Sequence, residues 1–164
     1  MKVFGVVGWK NSGKTGLMER LVAEFTGRGL SVSTVKHAHH SFDVDRPGKD
    51  SDRHRVAGAS QVLLSSANRW ALMSELRGAE EPPLAELLQK LSPVDLVLIE
   101  GYKRDSHLKV EAHRAETGQP LIALGDPTIR AIASDEALPD AHVPVIDLDD
   151  TMAIADFIAD TLGL

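Results

Sequence analysis

Gly8-Trp9-Lys10-Asn11-Ser12-Gly13-Lys14-Thr15 lies between an apolar run, Val3 to Val7, and an amphipathic stretch that begins at Leu17. A glycine, four residues and then Gly-Lys-Thr is the pattern of a phosphate-binding loop, and each piece has a physical task. Gly13 lets the backbone approach a ligand closely, and the amides from Asn11 and Ser12 through Thr15 point at phosphate oxygens at the positive end of a helix. Lys14 reaches toward the β and γ phosphates, and the Thr15 hydroxyl is offered to the magnesium ion that travels with them. The neighbours fit. Val3, Phe4, Val6 and Val7 predict a buried parallel strand. Leu17, Leu21 and Phe25 predict the apolar stripe of a helix that Gly29 stops.

At 164 residues the chain has the length of one domain, 1–164. No apolar run approaches the ~20 residues of a membrane span. Cysteine is absent, which removes disulfides and thiolate chemistry, and the N-terminus runs straight into the first strand without a signal-peptide pattern. A soluble, cytoplasmic protein without a membrane partner is expected. The balance of 18 basic against 24 acidic side chains, net −6, argues against broad nucleic-acid binding and leaves room for a local phosphate pocket.

Along the chain, Leu30 to Lys36 predicts a second strand, so that strand, helix and strand form a parallel crossover. Then comes His37-Ala38-His39-His40, followed by a polar segment to Ser51 that carries Asp43, Asp45, Lys49 and Asp50. Ligands of parallel α/β sheets bind at such a carboxyl end. Asp52 to Ala59 predicts a short helix with Ser51 as its cap, its arginines facing either solvent or an anionic ligand. Gln61 to Ser65 and Trp70 to Ser74 predict a hairpin whose Trp70-Ala71-Leu72-Met73 strand serves either core packing or association. Leu84, Leu87, Leu88 and Leu91 form a helical stripe ended by Pro93. Val94 to Gly101 is an apolar strand closing on Glu100. Strands are expected at Leu108 to His113, Leu121 to Leu124, Ile129 to Ala133 and Val143 to Ile146, and a last helix from Thr151 to Leu162 capped by Asp149 or Asp150. The fold class is therefore α/β, a P-loop NTPase-type, mostly parallel sheet flanked by helices, with additional edge strands.

Three carboxylates invite a role. Glu100, ending a buried strand, is placed as a magnesium ligand opposite Thr15, although such sites more often use aspartate. Asp50 is either a second metal residue or a solvated loop acid. Asp135, past the end of a strand, either accepts from the N1–H and exocyclic amine of guanine or stabilises a turn. His37, His39 and His40 suggest a transition-metal site, but cysteine and helical i, i+4 spacing are missing; contact with nucleotide or partner, or capping of the strand end, is the alternative. Lys103 lines the same pocket or lies on the surface.

Taken together, Gly8 to Thr15, His37-Ala38-His39-His40 with Asp43 to Ser51, Ala57-Gly58-Ala59, Arg69 to Met73, Glu100-Gly101-Tyr102-Lys103 and Ala133-Ser134-Asp135 resemble the MobB family, the molybdopterin-guanine dinucleotide biosynthesis protein B. The resemblance spans nearly the whole chain; Gly16 departs from it, standing where a second threonine is common. It implies a GTP-binding, magnesium-dependent homodimer that assists the guanylyltransferase MobA as the molybdopterin cofactor intermediate acquires GMP, with His37, His39, His40, Lys49 and Lys103 as partner or cofactor contacts. Two other classes remain open from the residues alone. One is a small-molecule kinase with Arg46, Arg53 and Arg55 in a lid. The other is a metal-delivery GTPase using the histidine segment.

Overall fold

In chain order the elements are β1 (Lys2–Val7), α1 (Lys14–Gly27), β2 (Val32–Lys36), α2 (Asp50–Val56), β3 (Gln61–Ser65), β4 (Trp70–Ser74), α3 (Leu84–Leu88), β5 (Leu96–Glu100), β6 (Lys109–His113), β7 (Ile129–Ser134), β8 (Val145–Asp147) and α4 (Thr151–Leu162). They belong to a computed structural model that describes residues 1–38 and 42–164. Two compact units result, Met1–His37 with Leu88–Leu164, and Ala38–Leu87.

The first unit is built on β1. It pairs in parallel with β5 on one side and β6 on the other, within a six-stranded sheet ordered β2-β5-β1-β6-β7-β8. All the pairings in this sheet are parallel, as the apolar, β-branched strands demand. Alternate residues of the central strands, Phe4 and Val6, Leu96 and Leu98, Val110 and Ala112, join Leu17, Leu21 and Phe25 of α1 and Ile154 and Ile158 of α4 in one buried cluster. Each large side chain so buried contributes about 1.5–3 kcal/mol. α1 closes as its sequence demands, with Gly29 at φ 88 and the Leu30 amide bonded back to Phe25 O at 3.1 Å. That closure delays β2 to Val32, two residues later than expected. Asp150 caps α4, its carboxylate accepting from the Ala153 amide at 3.0 Å.

The opposite face of β6 is polar and buried. Lys109 and Glu111 are wholly enclosed and His113 nearly so. Lys109 donates to Asp105 O and Thr128 Oγ1, and Glu111 accepts from the amides of Ile122 at 2.9 Å and Ala123 at 2.8 Å. This corrects one expectation. Leu121 to Leu124 is not a strand: Ile122–Leu124 is a 3-10 turn, because the Glu111 carboxylate takes the amides that a ladder would have used.

In the second unit β3 and β4 pair as an antiparallel hairpin with the expected limits. Ser66 organises its turn, donating to Arg69 O and accepting from the Asn68 and Arg69 amides. Leu63, Trp70 and Leu72 stay 63%, 65% and 50% exposed. Ser51 is not the cap of α2. It lies buried within the first turn and turns to Asp45, while Asp52 reaches back to the Gly48 amide at 2.7 Å. Arg55, read from sequence as facing solvent or ligand, does neither. Its guanidinium forks onto both oxygens of Asp45 at 2.8 and 3.1 Å and also reaches Glu75 at 2.9 Å, Asp43 at 3.1 Å and Asp52 at 3.3 Å. That guanidinium holds the Asp45 carboxyl below the usual carboxylate range.

Candidate functional site

The loop leaving β1 folds as its residues require. A side chain at Gly8 would bring a Cβ within 2.4 Å of both Ala112 O and Ser12 Oγ, so only glycine lets the loop pass this close to β6. Asn11 adopts the left-handed conformation at φ 66, and Gly13 follows at φ 88 as the residue before α1. Asparagine is among the few side chains that tolerate this geometry. Ser12 turns inward, buried, with its amide toward Trp9 O at 3.3 Å. The first amides of α1 are left open at the positive helix end.

The first turn of α1 and the end of β5 bring Thr15 and Glu100 together. Thr15 Oγ1 stands 3.3 Å from Glu100 Oε1, across from the last residue of β5. Hydroxyl and carboxylate oxygens are the hard donors that magnesium takes, so this pair fits the ion. Lys36 is in register with Glu100, and its ammonium lies 3.2 Å from the same oxygen. Lys14 donates to Trp9 O. Burial, then the charge of Lys103, lowers its pKa, Glu100 acts in the opposite direction, and Lys36 lowers it further. Asp50 opens α2 in the second unit, where exposed Lys49 precedes it.

Beyond Glu100 the backbone turns sharply, with Gly101 at φ 94 and Tyr102 at φ 50. His37 follows β2 beside this turn: its amide donates to Glu100 O at 2.9 Å and its ring stacks on Tyr102, centroids 4.5 Å apart. Lys103 Nζ lies 4.2 Å from the centroid of the Trp9 ring, whose Nε1–H donates to Pro120 O at 2.7 Å. His39 and His40 lie outside the described residues. Among the described residues no group of three His, Cys, Asp or Glu side chains is placed to hold a metal ion.

Asp135 follows β7 and accepts from the Ala115 amide at 2.9 Å, with Arg114 Nη1 at 4.0 Å from its other oxygen. Arg114 also approaches the loop: a Cβ on Gly13 would stand 3.0 Å from its Nε. Sequence reasoning missed Trp9, Lys36, Tyr102 and Arg114. Trp9 occupies a variable position of the motif, and the other three depend on strand register and turn geometry. Only Lys36 had a readable signal, as the last residue of a strand that a parallel sheet sets beside β5.

The family model for MobB, molybdopterin guanine dinucleotide synthesis protein B, matches residues 3–135. Among curated relatives, the molybdopterin-guanine dinucleotide biosynthesis adapter protein of Escherichia coli is 38% identical over 93% of this chain and 88% of its own. That of Haemophilus influenzae is 38% identical over 98% of this chain and 89% of its own. A crystal structure of Bacillus subtilis MobB superposes with a TM-score of 0.76 at 28% identity, covering 99% of this chain and 98% of that one.

Proposed function

The chain belongs to the MobB family, and from that premise we propose that it is an adapter in molybdopterin guanine dinucleotide biosynthesis that binds GTP with magnesium and assists the guanylyltransferase MobA. The observation that carries the nucleotide reading is the Thr15 hydroxyl facing the Glu100 carboxylate at 3.3 Å, at the foot of the phosphate loop. Thr15 and Glu100 would hold the magnesium, which supplies charge neutralisation for the phosphates when bound. Lys14 and the open amides at the start of α1 hold the phosphates. Asp135 reads the base if its contact with the Ala115 amide leaves its second oxygen for guanine.

Hydrolysis is slow in this reading. After Glu100 and Gly101 stand Tyr102 and Lys103, with no glutamine to orient water. The molybdopterin intermediate and MobA come as partners, and a second copy of the chain covers Leu63, Trp70 and Leu72 of the hairpin, since a solitary two-stranded sheet is marginal in water.

Calorimetry with GTP and magnesium tests the reading. Lys14→Ala removes measurable binding, a loss of at least about a hundredfold, while the melting temperature stays within a degree or two, because the half-buried lysine contributes little to the core. Unchanged GTP affinity in that variant rejects the site.

A further inference from the structure

Trp9 engages two lysines at once. Its carbonyl accepts from the Lys14 ammonium, and its ring lies beneath that of Lys103 at 4.2 Å. The indole is held at its far edge by the bond to Pro120 O, two residues before the turn that Glu111 anchors through the Ile122 and Ala123 amides. Lys103 is fixed from its other side. The left-handed pair Gly101 and Tyr102 sets the direction of the backbone, Tyr102 is stacked on His37, and the Asp105 amide closes the turn onto Tyr102 O at 3.1 Å. A non-glycine residue persists at φ 50 only where its surroundings enforce it.

The charges around the loop do not balance. Lys14 feels the charges of Lys103 and Lys36 against one carboxylate, Glu100, and Lys36 already pairs with that acid at 3.2 Å. An aromatic face orients a cation without cancelling its charge. Burial lowers the Lys103 pKa and Glu111 acts against that, but the two oxygens of Glu111 are engaged by amides, and burial pushes its own pKa up. One oriented ammonium beside the loop is thus left with charge to spend on a ligand.

We propose that Lys103, positioned by the indole of Trp9, contacts the terminal phosphate and is the group by which this site prefers a nucleoside triphosphate to a diphosphate. The inference rests on the nucleotide reading above and adds the source of its selectivity. The loop amides and Lys14 grip the β-phosphate in either nucleotide, so Lys103 matters only when a further phosphate is present. Trp9 acts through Lys103 as a positioning residue.

Calorimetry with GTP and with GDP, each with magnesium, tests this on Lys103→Met, Lys103→Arg, Trp9→Leu and Trp9→Phe. Lys103→Met weakens GTP about tenfold or more and leaves GDP within about twofold, since hydrogen bonds to charged groups are the stronger class. Lys103→Arg restores the preference, Trp9→Leu loses part of it with Lys103 intact, and Trp9→Phe, which keeps a ring face, retains it. Equal losses for both nucleotides, or no loss in Lys103→Met, overturn the assignment while the wild type still binds. Trp9→Leu behaving as wild type removes the positioning role. A wild type that binds neither nucleotide takes the nucleotide reading down as well.

Discussion

The two units of this chain hold themselves together differently. In the first, Phe4, Leu17, Leu21, Phe25, Leu96 and Leu98 are wholly buried in one apolar cluster. In the second, Val62 of the hairpin is buried, but Leu63, Trp70 and Leu72 face outward, and the polar segment is gathered by one guanidinium among four carboxylates. Dense apolar packing suits a site whose loop must not move. The second unit is held largely by charge, which salt screens, and keeps apolar side chains at its surface.

Phe4→Ala strikes the first unit hardest. Loss of a wholly buried phenylalanine costs about 3–5 kcal/mol, read as a lower urea midpoint together with lost GTP binding. If stability barely changes, the apolar cluster is not what supports the site.

Acid is expected to weaken the same unit by a smaller amount. Burial first, then the charge of Lys109, lowers the His107 pKa to about 4. The unfolded chain binds that proton at its ordinary pKa of about 6.5, so stability is full above that pH and falls as the pH drops toward 4; the full difference corresponds to about 3 kcal/mol, and solvent screening of the part-buried ring brings the loss to on the order of 2 kcal/mol. Denaturation midpoints across that window should flatten in His107→Gln. An equal slope in the variant assigns the effect to another group.

The smallest effect on global stability is expected from Arg55→Ala. It frees four carboxylates in the second unit and should open residues 38–87 to proteolysis, while GTP affinity and the melting of the first unit hold. If the whole chain melts earlier, the two units are not energetically separate.

The loop from Gly8 to Thr15, its flanking elements and the meeting of Thr15 with Glu100 were legible because motif, strand and helix periods agree and a parallel sheet sets the start of α1 beside the end of β5. The failures share a cause. Leu121 to Leu124 carries strand-forming residues, but a carboxylate from another strand took its amides. Ser51 and Arg55 were read by their local sequence and answered to Asp45, a partner that no spacing rule locates. Trp9 stands inside the motif, yet its role depends on Lys103, more than ninety positions away.

The pairing of β1 also sets a schedule. Lys2 lies opposite Leu96 and Gly5 opposite Lys109, so neither neighbour of the first strand has been made until well over half of the chain has left the ribosome. The hairpin needs only the span from Gln61 to Ser74 and can close while β1 waits. Non-local parallel pairing is slow, and waiting strands are prone to stick to the wrong surface. The nascent chain therefore displays its hairpin, with Leu63, Trp70 and Leu72 exposed, before Glu100 exists to face Thr15, and a truncated product ending before β5 would carry the first without the second.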